Sequence, residues 1–152
     1  MLRHPLASSP REVLTDSAFE PVLHDFDLPT GARRILLTSG KIRHELREER
    51  DRRKDHVTAI VSLEQLYPFP TAELEAELAR HPEVTDVVWV QEEPGNMGAL
   101  SYVMPRIEDV VRKKAALRSI KRSASASPAT GSAKAHQLEQ KSLLALAFTT
   151  RV

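Results

Sequence analysis

The chain reads as an α/β protein, a three-layer sandwich in which a mostly parallel sheet of about five strands lies between helices on both faces. From Arg33 onward, short β-branched runs alternate with stretches at helical spacing, strand then helix four times over. The run Val87, Val88, Trp89, Val90 has no polar face, as a strand covered on both sides requires. Such alternation favours right-handed crossovers, which distribute helices over both faces. With 152 residues, 41% of them hydrophobic, the chain can bury one sizeable core.

The elements follow in order. From Met1 to Gly31 the prolines Pro5, Pro10, Pro21 and Pro29 interrupt every pattern, so residues 1–32 are expected to form an irregular arm resting on neighbouring protein, with 33–152 as the α/β domain. Ile35 to Thr38 is the first strand, ended by Ser39 and Gly40. Lys41 to Lys54 is a charged helix with Glu48 to Arg52 and Glu49 to Arg53 at i,i+4 spacing and a short apolar stripe, Ile42 and Leu46, so it should mostly face water. Val57 to Leu63 is the second strand. Tyr67 to Pro70 forces an extended turn, and Thr71 is placed to cap a helix presenting Leu74 and Leu78. Asp86 to Gln91 is the third strand, broken by Pro94 and Gly95. Leu100, Val103, Met104, Ile107 and Val111 keep helical spacing, although Pro105 should start, end or kink that helix. Leu117 to Lys121 is half apolar, as an edge strand would be. Ser123 to Ser132 has no apolar residue larger than alanine and reads as a loop. A last helix, about Ala135 to Phe148, offers Leu138, Leu143, Leu144, Leu146 and Phe148 to the sheet.

Charge excludes several partners. Lysine plus arginine total 22 against 21 acidic residues, so a net charge of +1 argues for neither nucleic acid nor membrane. The absence of cysteine rules out disulfides and thiolate metal sites and fits a reducing compartment. No apolar run reaches the length of about 20 residues that crosses a bilayer, and Met1 to Pro10 lacks the apolar core of a secretory signal. A soluble cytoplasmic protein is the expectation.

Chemistry-bearing residues concentrate where the third strand emerges, since functional loops of open α/β sheets lie at that end. Gln91, Glu92, Glu93 and Asn96 sit there. Neighbouring side chains on an extended strand point to opposite sides, so Glu92 and Glu93 cannot act as one acid/base pair, and pairing with arginine or capping the turn is the simpler role. His4, His24, His44, His56, His81 and His136 lack metal-ligand spacing and read as surface or turn residues. Ser123, Ser125 and Ser127 lie in a loop without a nucleophile elbow or an evident base. No P-loop or dinucleotide glycine pattern occurs. The Ser125 to Lys134 stretch precedes a helix, and with Arg122 and Lys134 it could receive an anion at exposed backbone N–H groups. The simpler reading is a small-residue loop shaped for close contact with a neighbouring subunit. The basic set Arg112, Lys113, Lys114, Arg118, Lys121 and Arg122 likewise reads as a solvated helix end and edge strand, or as part of a nucleotide-like effector site.

Six segments carry a family resemblance over nearly the full length: MLRHP (Met1 to Pro5), RILLTSGK (Arg34 to Lys41), SLEQLYPFP (Ser62 to Pro70), VVWVQEEPGNMGALSY (Val87 to Tyr102), SASPATG (Ser125 to Gly131) and AHQLEQ (Ala135 to Gln140). They resemble the C-terminal, transketolase C-terminal-like domain of the thiamine-diphosphate-dependent 2-oxoglutarate dehydrogenase component and its decarboxylase relatives. Met97 and Leu100 depart from that pattern. The resemblance implies one antiparallel strand at a sheet edge. It also implies that thiamine diphosphate and Mg are held between two upstream catalytic domains, one through a GDG…N motif that this sequence does not contain. This chain alone would then bind no cofactor. Its expected partners are those upstream domains, a second copy in a homodimer and, in the complete complex, the dihydrolipoyl succinyltransferase. The possible effector or interface loops are Gln91, Glu92, Glu93, Asn96, Arg122, Ser125, Ser127 and Lys134. The alternative is a stand-alone module binding an anionic effector such as AMP or acetyl-CoA.

Overall fold

The computed structural model describes residues 7, 8, 11, 15, 18–112 and 114–149. Nearly all of the expected arm before Ala18, Lys113 and the last three residues lie outside that description. Among the described residues the elements are β1 (Val22–Leu23), β2 (Arg34–Thr38), α1 (Ile42–Arg53), β3 (Thr58–Leu63), α2 (Thr71–Ala79), β4 (Asp86–Pro94), α3 (Leu100–Val111), β5 (Ala116–Arg122) and α4 (Ala133–Ala147). The sheet order is β1-β3-β2-β4-β5, with every pairing parallel except β1 on β3.

Strand alternation splits the core in two. Ile35, Leu37, Val61, Val87 and Trp89 face α2 and α3, where Leu74, Val103 and Ile107 close the layer. Leu36, Ile60, Val88, Val90 and Ile120 face α1 and α4, meeting Ile42, Leu46, Leu143 and Ala147. β2, β3 and β4 are apolar throughout because both faces are covered. β5 lies at the edge, as its half-apolar composition predicts.

Four details differ from the sequence reading. The antiparallel edge strand comes from the arm itself, as β1 pairs Val22 with Leu63 and Leu23 with Ser62. α3 runs through Pro105, which is exposed like Ser101 four residues earlier. The hydrogen bond lost at the proline therefore faces water, which can replace it. α2 begins at Thr71 with Pro70 at the cap and no side-chain capping bond, so Thr71 is helical rather than the cap. The histidine reading fails at His81, which is fully buried. Its Nδ1 accepts from Ala32 N–H at 3.0 Å and its Nε2 faces Glu77 at 3.4 Å, so it joins α2 to the segment leading into β2.

α1 also buries more than its stripe suggests. Arg52 and Arg53 both pair with Glu49, so Arg52 is not held by Glu48. Arg43 and Arg50 lie on the helix's inner face. Arg50 is 3% exposed and Asp25, from the arm, is 1% exposed; they form a short ion pair through Nη1 and Oδ2. Asp25 also accepts Ile60 N–H at 2.7 Å, and Arg50 donates to Thr58 O at 3.3 Å and Asp27 at 2.7 Å. Burying two charges is costly unless each is paired and its remaining valences are filled, and here both are. One interaction thus joins the arm, α1 and β3. Further along, Arg80 Nε donates to Pro29 O at 3.0 Å and Arg43 Nη2 to His24 O at 3.0 Å, so the second half of the arm lies on this chain's own body. Phe19 and Phe26 nonetheless face outward.

Removing one partner strands a buried charge. Arg50→Ala should lower unfolding stability by about 3–5 kcal/mol, read from urea midpoints. A loss below about 1 kcal/mol, the size of an exposed pair, would show that the pair does not anchor the arm.

Candidate functional site

The chain reverses its direction of travel across the sheet at β2, whose neighbours are β3 and β4. Open α/β sheets bind ligands in the crevice outside the carboxyl ends of the strands at such a switch point. Here the crevice lies between the Ser39–Lys41 turn and the residues after Val90. It is filled by the chain's own side chains. Lys41 Nζ donates to Glu45 at 3.1 Å and, through a short bond, to Glu92. Gln140 Nε2, reaching in from α4, donates to Glu45 at 2.7 Å and to Glu92 at 3.1 Å. Glu92 therefore has a structural role, but its partners are lysine and glutamine side chains rather than an arginine.

β4 reaches this crevice through a bulge. Its pairing with β5 is regular to Val90↔Ile120, then shifts, and resumes once at Pro94↔Arg122. The strand thus runs past Gln91, where the sequence reading ended it. A bulge re-aims side chains, and Gln91 turns inward. Its Oε1 accepts Trp89 Nε1–H at 3.0 Å, and its Nε2 donates to Met97 O at 2.9 Å and to Glu93 O and Pro94 O at 3.3 Å each. Gly98, at φ +68°, makes room: a β-carbon there would lie 3.1 Å from Gln91 Nε2 and 3.1 Å from Glu93 Cβ. Glu93 points away from Glu92 and is exposed, as alternation predicts.

The small-residue loop between β5 and α4 is tied to this turn. Asn96 Nδ2 donates to Ser125 O at 2.9 Å and its Oδ1 accepts Ser125 N–H at 3.1 Å. Arg122 donates to Glu92 O, to Thr130 Oγ1 at 3.0 Å, to Glu139 at 3.2 Å and to Pro128 O at 3.0 Å. Ser125 Oγ accepts Ser127 N–H at 3.2 Å, and Ser127 Oγ donates to Ala129 O at 2.8 Å. Beside them runs a groove of about 600 Å³ lined by Arg122, Ser125, Ser127, Leu138, Ser142 and Leu146 among others. Of the expected site residues, Gln91, Glu92, Asn96, Arg122, Ser125 and Ser127 all lie at the turn after β4 and the loop after β5. Arg122 is bonded to Glu92 O, Asn96 to Ser125 and Ser125 to Ser127, while Gln91 bonds the carbonyls of the turn. Glu93 borders them at the Gly98 turn, and Lys134 stands apart, exposed in the first turn of α4. Lys41, Glu45 and Gln140 escaped the sequence reading. Lys41 and Gln140 each close a quoted motif and Lys41–Glu45 has i,i+4 spacing, but their meeting is a tertiary event.

Electrostatics agree with the bonding. Burial works against the charge on Lys41, yet its bonds to Glu92 and Glu45 outweigh this and raise its pKa above 10.5. The Thr130 hydroxyl and then the Arg122 guanidinium hold the Glu139 carboxyl below 4.5. No three His, Asp or Glu side chains among the described residues converge as a metal site. At the loop end the carboxylates of Glu45, Glu92 and Glu139 are each held by side-chain partners of this chain. No helix among the described residues is long and apolar enough to cross a membrane.

Fold and site together define an α/β sandwich domain whose ligand-binding end is closed by its own polar side chains. The model of the 2-oxoglutarate dehydrogenase C-terminal family matches residues 7–148, and the chain belongs to that family. It is 36% identical over 157 residues to the 2-oxoglutarate dehydrogenase E1 component of an Exiguobacterium species, covering 100% of this chain. The E1 component of Geobacillus kaustophilus is 40% identical over 153 residues and that of Haemophilus influenzae 38% over 152, covering 98% and 97% of this chain. The chain spans about 16% of the length of the curated relatives it matches. These relatives give the stand-alone effector module no support.

Gln91→Ala leaves the buried indole N–H and the turn carbonyls unpaired, and should cost about 1–3 kcal/mol for each buried group that stays unsatisfied. Gly98→Ala should cost less in the Gln91→Ala background than alone; equal costs in a double-mutant cycle would show that the two do not share space. The pH dependence has two signs. The raised Lys41 pKa contributes stability below pH 10.5 that is lost as pH rises through the folded value, so the deficit of Lys41→Met should shrink only at alkaline pH. The lowered Glu139 pKa contributes above pH 4.5 and is lost on acidification, so the deficit of Glu139→Gln should shrink only in acid. Urea midpoints across pH check both.

Proposed function

We propose that this chain forms the C-terminal, interface-building part of a thiamine-diphosphate-dependent 2-oxoglutarate dehydrogenase E1, with catalysis carried by domains outside it. The observation that carries this reading is the closed switch-point crevice. Lys41, Glu45, Glu92 and Gln140 satisfy one another where an open α/β sheet would otherwise take a ligand, leaving a rigid surface instead of a free acid, base and nucleophile. Thiamine diphosphate and Mg are then held elsewhere, between the upstream catalytic domains, and this domain braces them.

The rest of the reading follows from the same surface. Glu93, Asn96, Ser125, Ser127 and Lys134 line or border the face turned towards the catalytic domains, with Arg122 and the buried Gln91 holding it rigid. The arm before β1 reaches neighbouring protein while the arm's second half stays on this chain's own body, with Phe19 and Phe26 as outward contacts. The assembled enzyme is a cytoplasmic homodimer that delivers succinyl groups to a dihydrolipoyl succinyltransferase.

Complementation tests it. The Geobacillus kaustophilus E1 component, shortened by the region this chain matches, should regain 2-oxoglutarate decarboxylation when the purified chain is added. Asn96→Asp, which replaces the amide donor facing Ser125 O with a carboxylate, should weaken that rescue. Absence of both association and rescue, or decarboxylation by the chain alone, would overturn the proposal.

A further inference from the structure

We propose that His81 is a proton-operated latch: its neutral ring holds residues 29–32 against the end of α2, and its charged ring lets them go. The inference concerns this chain's own fold and stands apart from the reading above.

Residues 29–32 lie across the C-terminal end of α2 on three hydrogen bonds. Arg80 Nε donates to Pro29 O at 3.0 Å, Gly31 N–H to Arg80 O at 3.2 Å and Ala32 N–H to His81 Nδ1 at 3.0 Å. Two of the three acceptors are carbonyls, which do not titrate, and the third is an imidazole nitrogen. Both ends of the segment are fixed. On one side Asp25 lies in the buried ion pair with Arg50, and on the other Arg33 and Arg34 donate their N–H groups to Val57 O at 2.9 and 3.2 Å. A change at His81 is therefore confined to the loop between them.

The bond from Ala32 selects the ring's tautomer. An imidazole nitrogen that accepts an N–H carries no proton, so the neutral ring keeps its hydrogen on Nε2, facing Glu77 at 3.4 Å. Protonation then adds a hydrogen at Nδ1, which sets two donors 3.0 Å apart and leaves Ala32 N–H without its acceptor. The same proton turns the contact with Glu77 into an ion pair, and Glu77 is itself 5% exposed. A buried charge is costly unless it is paired, so Glu77 is what lets the ring become charged inside the fold. Both groups belong to the end of α2. The proton thus strengthens the ring's hold within that end and breaks its hold on the loop.

The other charges around the ring do not undo this. Arg80 Nη1 lies 3.5 Å from Glu77 Oε2 and shares that carboxylate with the ring. Lys114, from the turn before β5, is the other titratable side chain bordering the cavity beside His81. In the segment leading into β2, Arg33 pairs with Glu83 at 3.8 Å, both largely exposed. Arginine and lysine side chains carry no acceptor, so none of these cations can take over the Ala32 N–H.

Nuclear magnetic resonance of the full 15N-labelled chain tests this from about pH 8 to 5, the range in which histidine ordinarily titrates. At the upper end a long-range 1H–15N spectrum should show His81 as the Nε2–H tautomer, with the Ala32 amide protected from exchange. As the ring gains its proton, the protection factor of Ala32 should fall about tenfold, the weight of roughly one hydrogen bond, while that of Val88, laddered on both sides in β4, holds. Glu77→Gln should move the His81 and Ala32 transitions to lower pH together. His81→Phe should leave Ala32 open to exchange at every pH, and if circular dichroism shows that variant unfolded, Glu77→Gln decides. An Nδ1–H tautomer, a ring that stays neutral until Val88 loses protection, an Ala32 amide indifferent to the ring's charge, or transitions that Glu77→Gln fails to move together would each overturn the latch.

Discussion

The ion pair between Asp25 and Arg50 is the constraint on which the layering depends. β1 has only two residues, too few to hold an edge by its own ladder. Asp25 secures it by reaching under the arm to Ile60 N–H and Arg50, so the antiparallel edge, α1 and β3 are placed by one carboxylate. Once α1 is fixed, Lys41 and Glu45 in its first turns stand over the carboxyl ends of β2 and β4. The closure of the crevice thus follows from a charge buried on the far side of the same helix.

The loop end is organised in the same way, by side chains that satisfy backbone groups. Gln91 closes the turn after β4, Asn96 joins that turn to the loop after β5, and Arg122 joins the loop to α4. Each has among its partners backbone carbonyls or amides of the turn and loop, to which Gln91 adds the Trp89 indole and Arg122 the Thr130 hydroxyl and the Glu139 carboxylate. The result is a surface with few free valences, which suits a domain that supports chemistry carried out by others.

Much of the architecture was legible in the sequence, and for stated physical reasons. β2, β3 and β4 announced themselves because strands covered on both faces need unbroken apolar runs, and β5 because an edge strand does not. Pro105 misled because its position predicts a break only if the lost bond is buried. Arg50, Arg43 and His81 misled because a charged or polar residue read alone looks solvated, and its buried partner lies far away in the chain. The candidate site was half legible: Gln91, Glu92, Asn96, Arg122, Ser125 and Ser127 were chosen for position and do converge. Lys41, Glu45 and Gln140 were not, since nothing local shows that α4 returns a glutamine to the end of β4.

The contact between Gln91 and Gly98 also limits how this turn can change over generations. A side chain at position 98 collides with the very amide that closes the turn, and shortening Gln91 first strands the Trp89 indole. Either substitution is costly as a first step, so the three positions should tend to drift together, and lineages that have altered one should more often carry a matching replacement at the others.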